Sequence, residues 1–154
     1  MFTIIQAKDE NLQDTVSLFE KYRSFYNMPS NFDSARQFII ERFNKNDSLI
    51  FLAFQKSTAV GFMQIYPSFS SVAMKPIWIL NDLFIDSSVR RSGCATSMLQ
   101  FLNKQAVKNK IFSIKLSTAV DNHSAKALYD SLGYKLVANF DNYSKTVELQ
   151  ALTQ

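Results

Sequence analysis

Glycine is scarce in this sequence. The 154 residues include three, Gly61, Gly93 and Gly133, where ordinary usage of ~7% would give about eleven. Glycine is therefore expected only where the backbone needs it. Cysteine and histidine are scarcer, with one of each, Cys94 and His123. A single thiol excludes an internal disulfide and a Cys-rich zinc site. A single imidazole excludes a multi-histidine centre, so no metal is expected. Long apolar runs are also missing. The longest, Leu49 to Phe54, falls far short of the roughly 20 residues that cross a bilayer. Met1-Phe2-Thr3-Ile4-Ile5 offers neither a basic n-region nor a small-residue cleavage site. These absences lead to the expectation of a soluble, cytoplasmic protein with a reduced thiol and no membrane partner.

The composition is that of a folded domain. Hydrophobic residues make up 47% and charged residues 19%, which excludes a disordered tail or a low-complexity linker. The length fits one domain over residues 1–154, able to bury roughly 68–70% of its unfolded surface. Seventeen Lys and Arg against thirteen Asp and Glu give a net charge of +4. That balance suits an anionic ligand but is too diffuse to predict specific nucleic-acid binding.

Hydrophobic periodicity gives the element order. Phe2 to Ala7 reads as a strand. Asp9 can cap a helix with Leu12, Val16, Phe19, Tyr22 and Tyr26 on one face, which must stop before Pro29. Ser30-Asn31-Phe32-Asp33 has the form of a capping box, with Asp in place of Glu, and opens a second helix. Leu49 to Phe54 and Val60 to Tyr66 form a hairpin, with Gly61 marking a bulge or a close backbone approach. Pro67 to Met74 reads as a loop. Ile77 to Ile85 is a nearly all-apolar strand and so central, interrupted by Asn81 and Asp82. Cys94 to Lys108 is a helix buried along Met98, Leu99, Leu102 and Ala106. Ile111 to Val120 is a strand. A short helix then carries Ala125, Leu128 and Leu132, and Gly133 ends it. Tyr134 to Phe140 and Ser144 to Leu149 are expected to close the chain as an antiparallel pair. The resulting fold is an α/β mixed sheet, antiparallel early and parallel in the middle, of about seven strands flanked by about four helices.

The chemistry concentrates in Leu83-Phe84-Ile85-Asp86-Ser87-Ser88-Val89-Arg90-Arg91-Ser92-Gly93-Cys94-Ala95. A central strand runs into a basic turn, then a glycine, then a helix. Amides at a helix start are unpaired, and the helix dipole makes that end positive, so it can hold phosphate. Gly93 has no side chain to block close approach and Ala95 is nearly as small, while Arg90 and Arg91 add charge. No Gly-Lys-Ser/Thr follows, so this is no P-loop, and the other glycines of a dinucleotide fingerprint are missing. On turn chemistry alone, a plain surface turn is the favoured reading.

The wider sequence supplies context. Arg90-Arg91-Ser92-Gly93-Cys94-Ala95 resembles the Gln/Arg-x-x-Gly-x-Gly/Ala signature of the GNAT superfamily of acyl-CoA N-acyltransferases. Leu83-Phe84-Ile85 looks like that family's Leu-x-Val strand end. The stretch Asn122 to Tyr134, with Ala125, Leu128, Tyr129 and Gly133 in place, resembles its second block, Asn-x-x-Ala-x-x-Leu-Tyr-x-x-x-Gly-Phe/Tyr. The resemblance covers essentially the whole chain. Ser87, Arg91 and Ala95 stand where the family often has proline, glycine and a second glycine.

The resemblance implies acetyl-CoA as co-substrate, with a GNAT-like sheet splayed to admit its pantetheine arm. The amides of Arg91, Ser92, Gly93, Cys94, Ala95 and Thr96, with Arg90, would hold the pyrophosphate. The backbone of Leu83, Phe84 and Ile85 would receive the pantetheine like an added strand, with Asn122 and Ala125 on the other side. Tyr129 would stand near the thioester sulfur, where a phenol of pKa ~10 can protonate a thiolate whose own pKa is ~8.5 by analogy with cysteine. A core tyrosine is the structural alternative.

The acceptor amine must be neutral, and an alkyl amine of pKa ~10.4 is neutral only about once in 2,500 molecules at pH 7. A base is therefore expected. Leu80 to Ile85 resembles the Leu-Glu-Asp-x-x-Val segment of polyamine-type members, but Asn81 replaces the glutamate and cannot take a proton. That leaves Asp82 as candidate base, or as a buried structural hydrogen bond, with Asn81 beside the acceptor. Cys94 faces the pyrophosphate end and is not a nucleophile, and His123 reads as a solvated loop residue. Tyr22, Phe25, Tyr26 and Met28 read as helix packing and the loop covering the acceptor, and can also cradle an alkylammonium. Together these features predict an acetyl-CoA-dependent N-acetyltransferase acting on a small-molecule or peptide amine. A non-catalytic acyl-CoA-binding module is the alternative. A homodimer through the apolar C-terminal end, at Val147, Leu149 and Leu152, is also expected.

Overall fold

The computed structural model describes residues 1–148. One sheet runs through it in the order β1 (Thr3–Gln6), β2 (Leu49–Gln55), β3 (Thr58–Ser70), β4 (Lys75–Ile85) and β5 (Ile114–Leu116). The first three pairings are antiparallel and β4 with β5 is parallel. Four α-helices accompany it: α1 (Leu12–Phe25), α2 (Phe32–Lys45), α3 (Cys94–Lys108) and α4 (His123–Ser131). The mixed α/β architecture is the one the periodicity predicts.

Side-chain alternation divides the core between the two faces of the sheet. Ile50, Leu52, Phe62 and Phe84 point to one face and meet Val16 and Leu18 of α1 and Ile39 of α2. Phe51, Ala53, Met63 and Ile65 point to the other and meet Met98, Leu99 and Leu102 of α3. Leu128 and Leu132 pack against that second cluster. Phe62, Leu52, Ile39 and Leu102 are fully buried, each contributing about 1.5–3 kcal/mol of transfer free energy.

Several boundaries differ from the sequence reading. Helix α1 is preceded by a single 3-10 turn, Asp9–Asn11, and Asp9 does not cap it. Asn31, not Ser30, caps α2, accepting from Ser34 N at 3.1 Å. Ser30 instead donates to the buried Glu20 of α1. The expected loop from Pro67 is strand as far as Ser70, with Pro67 opposite Trp78. Strand β2 ends at the Leu49–Ile65 pair, so this stretch of β3 has no neighbour on its other edge. The missing Pro67 N–H therefore removes no ladder bond.

The described residues hold five strands where about seven were expected. The strand expected over Ile111 to Val120 is regular only over Ile114–Leu116, because it turns away from β4. Residues 134–148 adopt no strand, which corrects the closing antiparallel pair; Leu149 and Leu152 lie outside the described residues.

Gly61 combines both roles offered for it. The β2–β3 register shifts beside it, with Ala53 opposite Gly61 and Phe54 opposite Ala59. A Cβ at Gly61 would stand 2.7 Å from Met98 Sδ and 3.0 Å from the Ala53 Cβ. Helix α3 therefore packs directly on the β3 backbone.

Candidate functional site

Strands β4 and β5 are in register at Trp78–Ile114, Ile79–Lys115 and Leu80–Leu116, and beyond Leu80 they part. The gap opens a cleft of about 580 Å³. Leu83, Phe84 and Ile85 form one wall, and Leu116, Ser117 and Thr118 the other. The turn from Arg90 and the start of α3 form the foot. Tyr22, Phe25 and Tyr26 close one side, and α4 contributes Ala125, Leu128 and Tyr129.

At the foot, α3 begins at Cys94 with no side-chain cap, whereas Asn31 and Asn122 cap α2 and α4. Its orphan amides face a cleft lined by Gly93, Cys94, Ala95 and Thr96. Arg91 and Gly93 both take left-handed backbone, with φ of 61° and 85°, which accounts for a family glycine at the Arg91 position. A Cβ at Gly93 would meet nothing within 4 Å, so it would project into open space. Ser92 does not line the cleft; its hydroxyl donates to the Val89 carbonyl.

The β4 wall offers backbone groups. Asp86 N donates back to Val60 O at 2.8 Å, so the peptide groups of Ile85 turn the other way, toward the cleft. The two-residue alternation of a strand gives Leu83 the same direction. Arg90 Nε donates to Ile85 O at 3.1 Å. Its guanidinium lies 5.6 Å from the Phe25 ring centre and 5.7 Å from that of Phe84.

The two polar residues of β4 are separated by a bulge. Gln64 pairs with Asp82 and Ile65 with Leu80, leaving Asn81 as the extra residue. The bulge reverses the alternation, so Leu80 and Leu83 share a face. Asn81 turns out and lines the cleft, while Asp82 turns in and is 4% exposed. Gln64 Nε2 donates to Asp82 Oδ2 at 2.7 Å, Asn81 Nδ2 to Asp82 Oδ1 at 3.0 Å, and Ser48 Oγ to Gln64 Oε1 at 3.0 Å. Asp82 thus stands behind the cleft wall, tied by two amides. Tyr22 also lines the cleft. Burial first, then the nearby charge of Asp82, push its phenol far above the ordinary range.

Tyr129 is partly buried, with its ring edge-on to Tyr134 at 5.8 Å. Burial, and then Tyr26, raise its pKa, so the phenol keeps its proton at neutral pH. Asn122 Oδ1 accepts from Ala125 N at 3.2 Å as the α4 cap, leaving its amide group for the cleft. Cys94 is 1% exposed and burial pushes its thiol up to about 11, so it is neutral, as a structural cysteine is. His123 is exposed at the start of α4. Lys21 Nζ and Asp86 Oδ2, 2.6 Å apart, tie α1 to the turn after β4.

The fold thus brings every candidate residue to one cleft except Ser92, which is exposed on the turn, and Asp82, which stands just behind the cleft wall. The sequence reading left out Leu116, Ser117 and Thr118. Their signal was position, since ligands sit beyond the carboxyl ends of parallel strands.

The acetyltransferase (GNAT) family model matches residues 14–134. An uncharacterized N-acetyltransferase of Bacillus subtilis (strain 168), YhfO, is 35% identical over 144 residues, covering 94% of this chain and 97% of its own. A solved structure described as a probable acetyltransferase superposes with a TM-score of 0.89 at 37% identity, covering 96% of this chain and 99% of that one. An aminoglycoside acetyltransferase from an uncultured soil metagenomic sample reaches a TM-score of 0.79 at 15% identity, with 96% and 97% covered, a likeness of fold.

Proposed function

Because this chain belongs to the GNAT family of acetyltransferases, we propose that it carries an acetyl group from acetyl-CoA to a primary amine, by direct attack in a ternary complex. The observation that carries the proposal is the parting of β4 and β5 above an uncapped helix start. The residues present fit acetyl-CoA. The orphan amides of the α3 start suit a pyrophosphate, with Arg90 and Arg91 beside them. The cleft-facing peptide groups of Leu83 and Ile85 can pair with pantetheine amides as a neighbouring strand would, and Arg90 would release the Ile85 carbonyl. Acetyl-CoA would supply an acyl thioester.

The chain's own residues would then manage the protons. Tyr129, held protonated by burial, gives its proton to the departing thiolate. Asp82 is the proposed base; its own carboxylate does not line the cleft, so the proton would reach it by way of Tyr22, which lines the cleft and whose phenol feels its charge. Asn81 and Tyr26 line the cleft and are proposed to orient the acceptor. No described helix is long and apolar enough to cross a membrane, which is compatible with a cytoplasmic site of action.

A screen of primary amines with acetyl-CoA, read by thiol release, tests the proposal. Amine-dependent release with acetylated product in the mass spectrum is the expected result. Tight CoA binding without acetylation of any amine would instead indicate an acyl-CoA-binding module.

A further inference from the structure

We infer that the acceptor end of the cleft selects a primary monoamine with an apolar, aromatic-sized body and turns away polycationic amines; the inference rests on the amine acetyltransferase reading. Four rings form this end. Tyr22 meets Tyr26 edge-on at 5.1 Å, Phe25 meets Tyr26 at 5.3 Å, and Tyr22 meets Phe84 at 6.4 Å. Phe25 and Tyr26 are 56% and 58% exposed, so the rim presents aromatic surface that an apolar body can cover.

Charge points the same way. The charged residues lining the cleft are Arg90 and Arg91, and no carboxylate lines it among the described residues. The carboxylates nearby are engaged. Asp86 holds Lys21 at 2.6 Å. Glu20 is buried beneath Arg23, Ser30 and the Asn31 amide. Asp82 faces Gln64 and Asn81 behind the wall. Residues 149–154 carry no acidic side chain. The rings of Phe25 and Phe84 already face a cation, the Arg90 guanidinium, so they offer little to a second one.

This arrangement has a chemical use. The attacking amine must shed its proton, and a monoamine then carries no further charge into the cleft. Every further ammonium on a polyamine or aminoglycoside finds no carboxylate to receive it. A monoamine therefore needs no such partner, whereas a polycation leaves unpaired charge in the cleft.

The test compares phenethylamine with spermidine and kanamycin on the full chain. Thiol release gives kcat/KM, and saturation-transfer NMR on the CoA-loaded protein gives binding without turnover. Phenethylamine is expected to exceed both polycations at least tenfold in kcat/KM. The double variant Phe25→Ala, Tyr26→Ala should raise its KM about fivefold or more, with the KM for acetyl-CoA within twofold of wild type. Phenethylamine binding that the double variant loses, with no thiol release from any amine, would support this inference while overturning the transferase reading. Stronger binding or turnover of spermidine or kanamycin overturns the inference, as does phenethylamine binding unaffected by the double variant.

Discussion

Leu80 and Leu116 are the last pair that β4 and β5 share. Beyond them one strand carries peptide groups that point at nothing in the sheet, and the other carries Ser117 and Thr118 into the cleft wall. An unpaired buried strand edge is costly unless something pairs with it. Here the open edge lies directly above the uncapped start of α3, so one extended ligand with an anionic end can satisfy both.

Gly93 tests the foot of that cleft. Gly93→Val is expected to weaken CoA binding tenfold or more in calorimetry, because its side chain would project into the open space beside the helix start. Its φ of 85° adds a stability cost of about 1–2 kcal/mol, small enough for the variant to fold. Arg90→Ala should change CoA affinity about threefold or less, since its charge only supplements the amides. Unchanged affinity in Gly93→Val would overturn the pyrophosphate assignment.

Gly61 tests the packing of α3 on the sheet. Gly61→Ala places a methyl 2.7 Å from Met98 Sδ and 3.0 Å from the Ala53 Cβ. A loss of about 1–3 kcal/mol in a denaturant melt is expected from this overpacking. A neutral substitution would mean that the fully buried Met98 can move aside freely.

Asp86 gives a pH dependence. Lys21, then the Ser88 amide and hydroxyl, hold its carboxyl well below the ordinary carboxylate range. A folded-state pKa below the unfolded one stabilises above the unfolded value and loses that stabilisation as pH falls through the folded one. Wild type should therefore exceed Asp86→Asn by about 1 kcal/mol near pH 7. The two should converge below pH ~4, where the unfolded carboxyl takes up its proton. A difference that persists undiminished at low pH would exclude ionic stabilisation by Lys21.

A homodimer is the assembly we propose. Leu136, Val137, Phe140 and Val147 expose most of their surface, apolar area that a second copy could cover. Sedimentation at micromolar concentration should give twice the chain mass, and a single species near 17.6 kDa would contradict it.

Much of the site was legible because its residues are local in sequence. The basic turn and Gly93 sit between a strand and a helix, and Asn122 to Tyr129 form one capped helix. Gly93 and Gly133 both take positive φ, as their scarcity suggested. The bulge at Asn81 was not legible. Asp82 read as a base or as a buried structural hydrogen bond, with Asn81 beside the acceptor; the fold turns Asn81 to the cleft and Asp82 into the core, and the extra residue puts Leu80 and Leu83 on one face. Nothing in the strand's own sequence reports it, because it depends on how β3 pairs opposite. The extent of β3 past Pro67 was hidden for a similar reason: only the end of β2 frees that edge. The pairing of Arg90 with Ile85 O also needed the folded turn, since it puts a side chain where a plain basic patch was read.

The most direct test of the account is the comparison of wild type with Tyr129→Phe in amine-dependent thiol release from acetyl-CoA. The phenol lines the cleft and keeps its proton, and the ring alone keeps the packing against Tyr134. General-acid catalysis is worth roughly 10²–10⁴-fold, so kcat should fall about a hundredfold or more, with CoA affinity and melting temperature unchanged. Equal rates for the two proteins would contradict the role of Tyr129, and the absence of amine-dependent release from wild type would contradict the transferase itself.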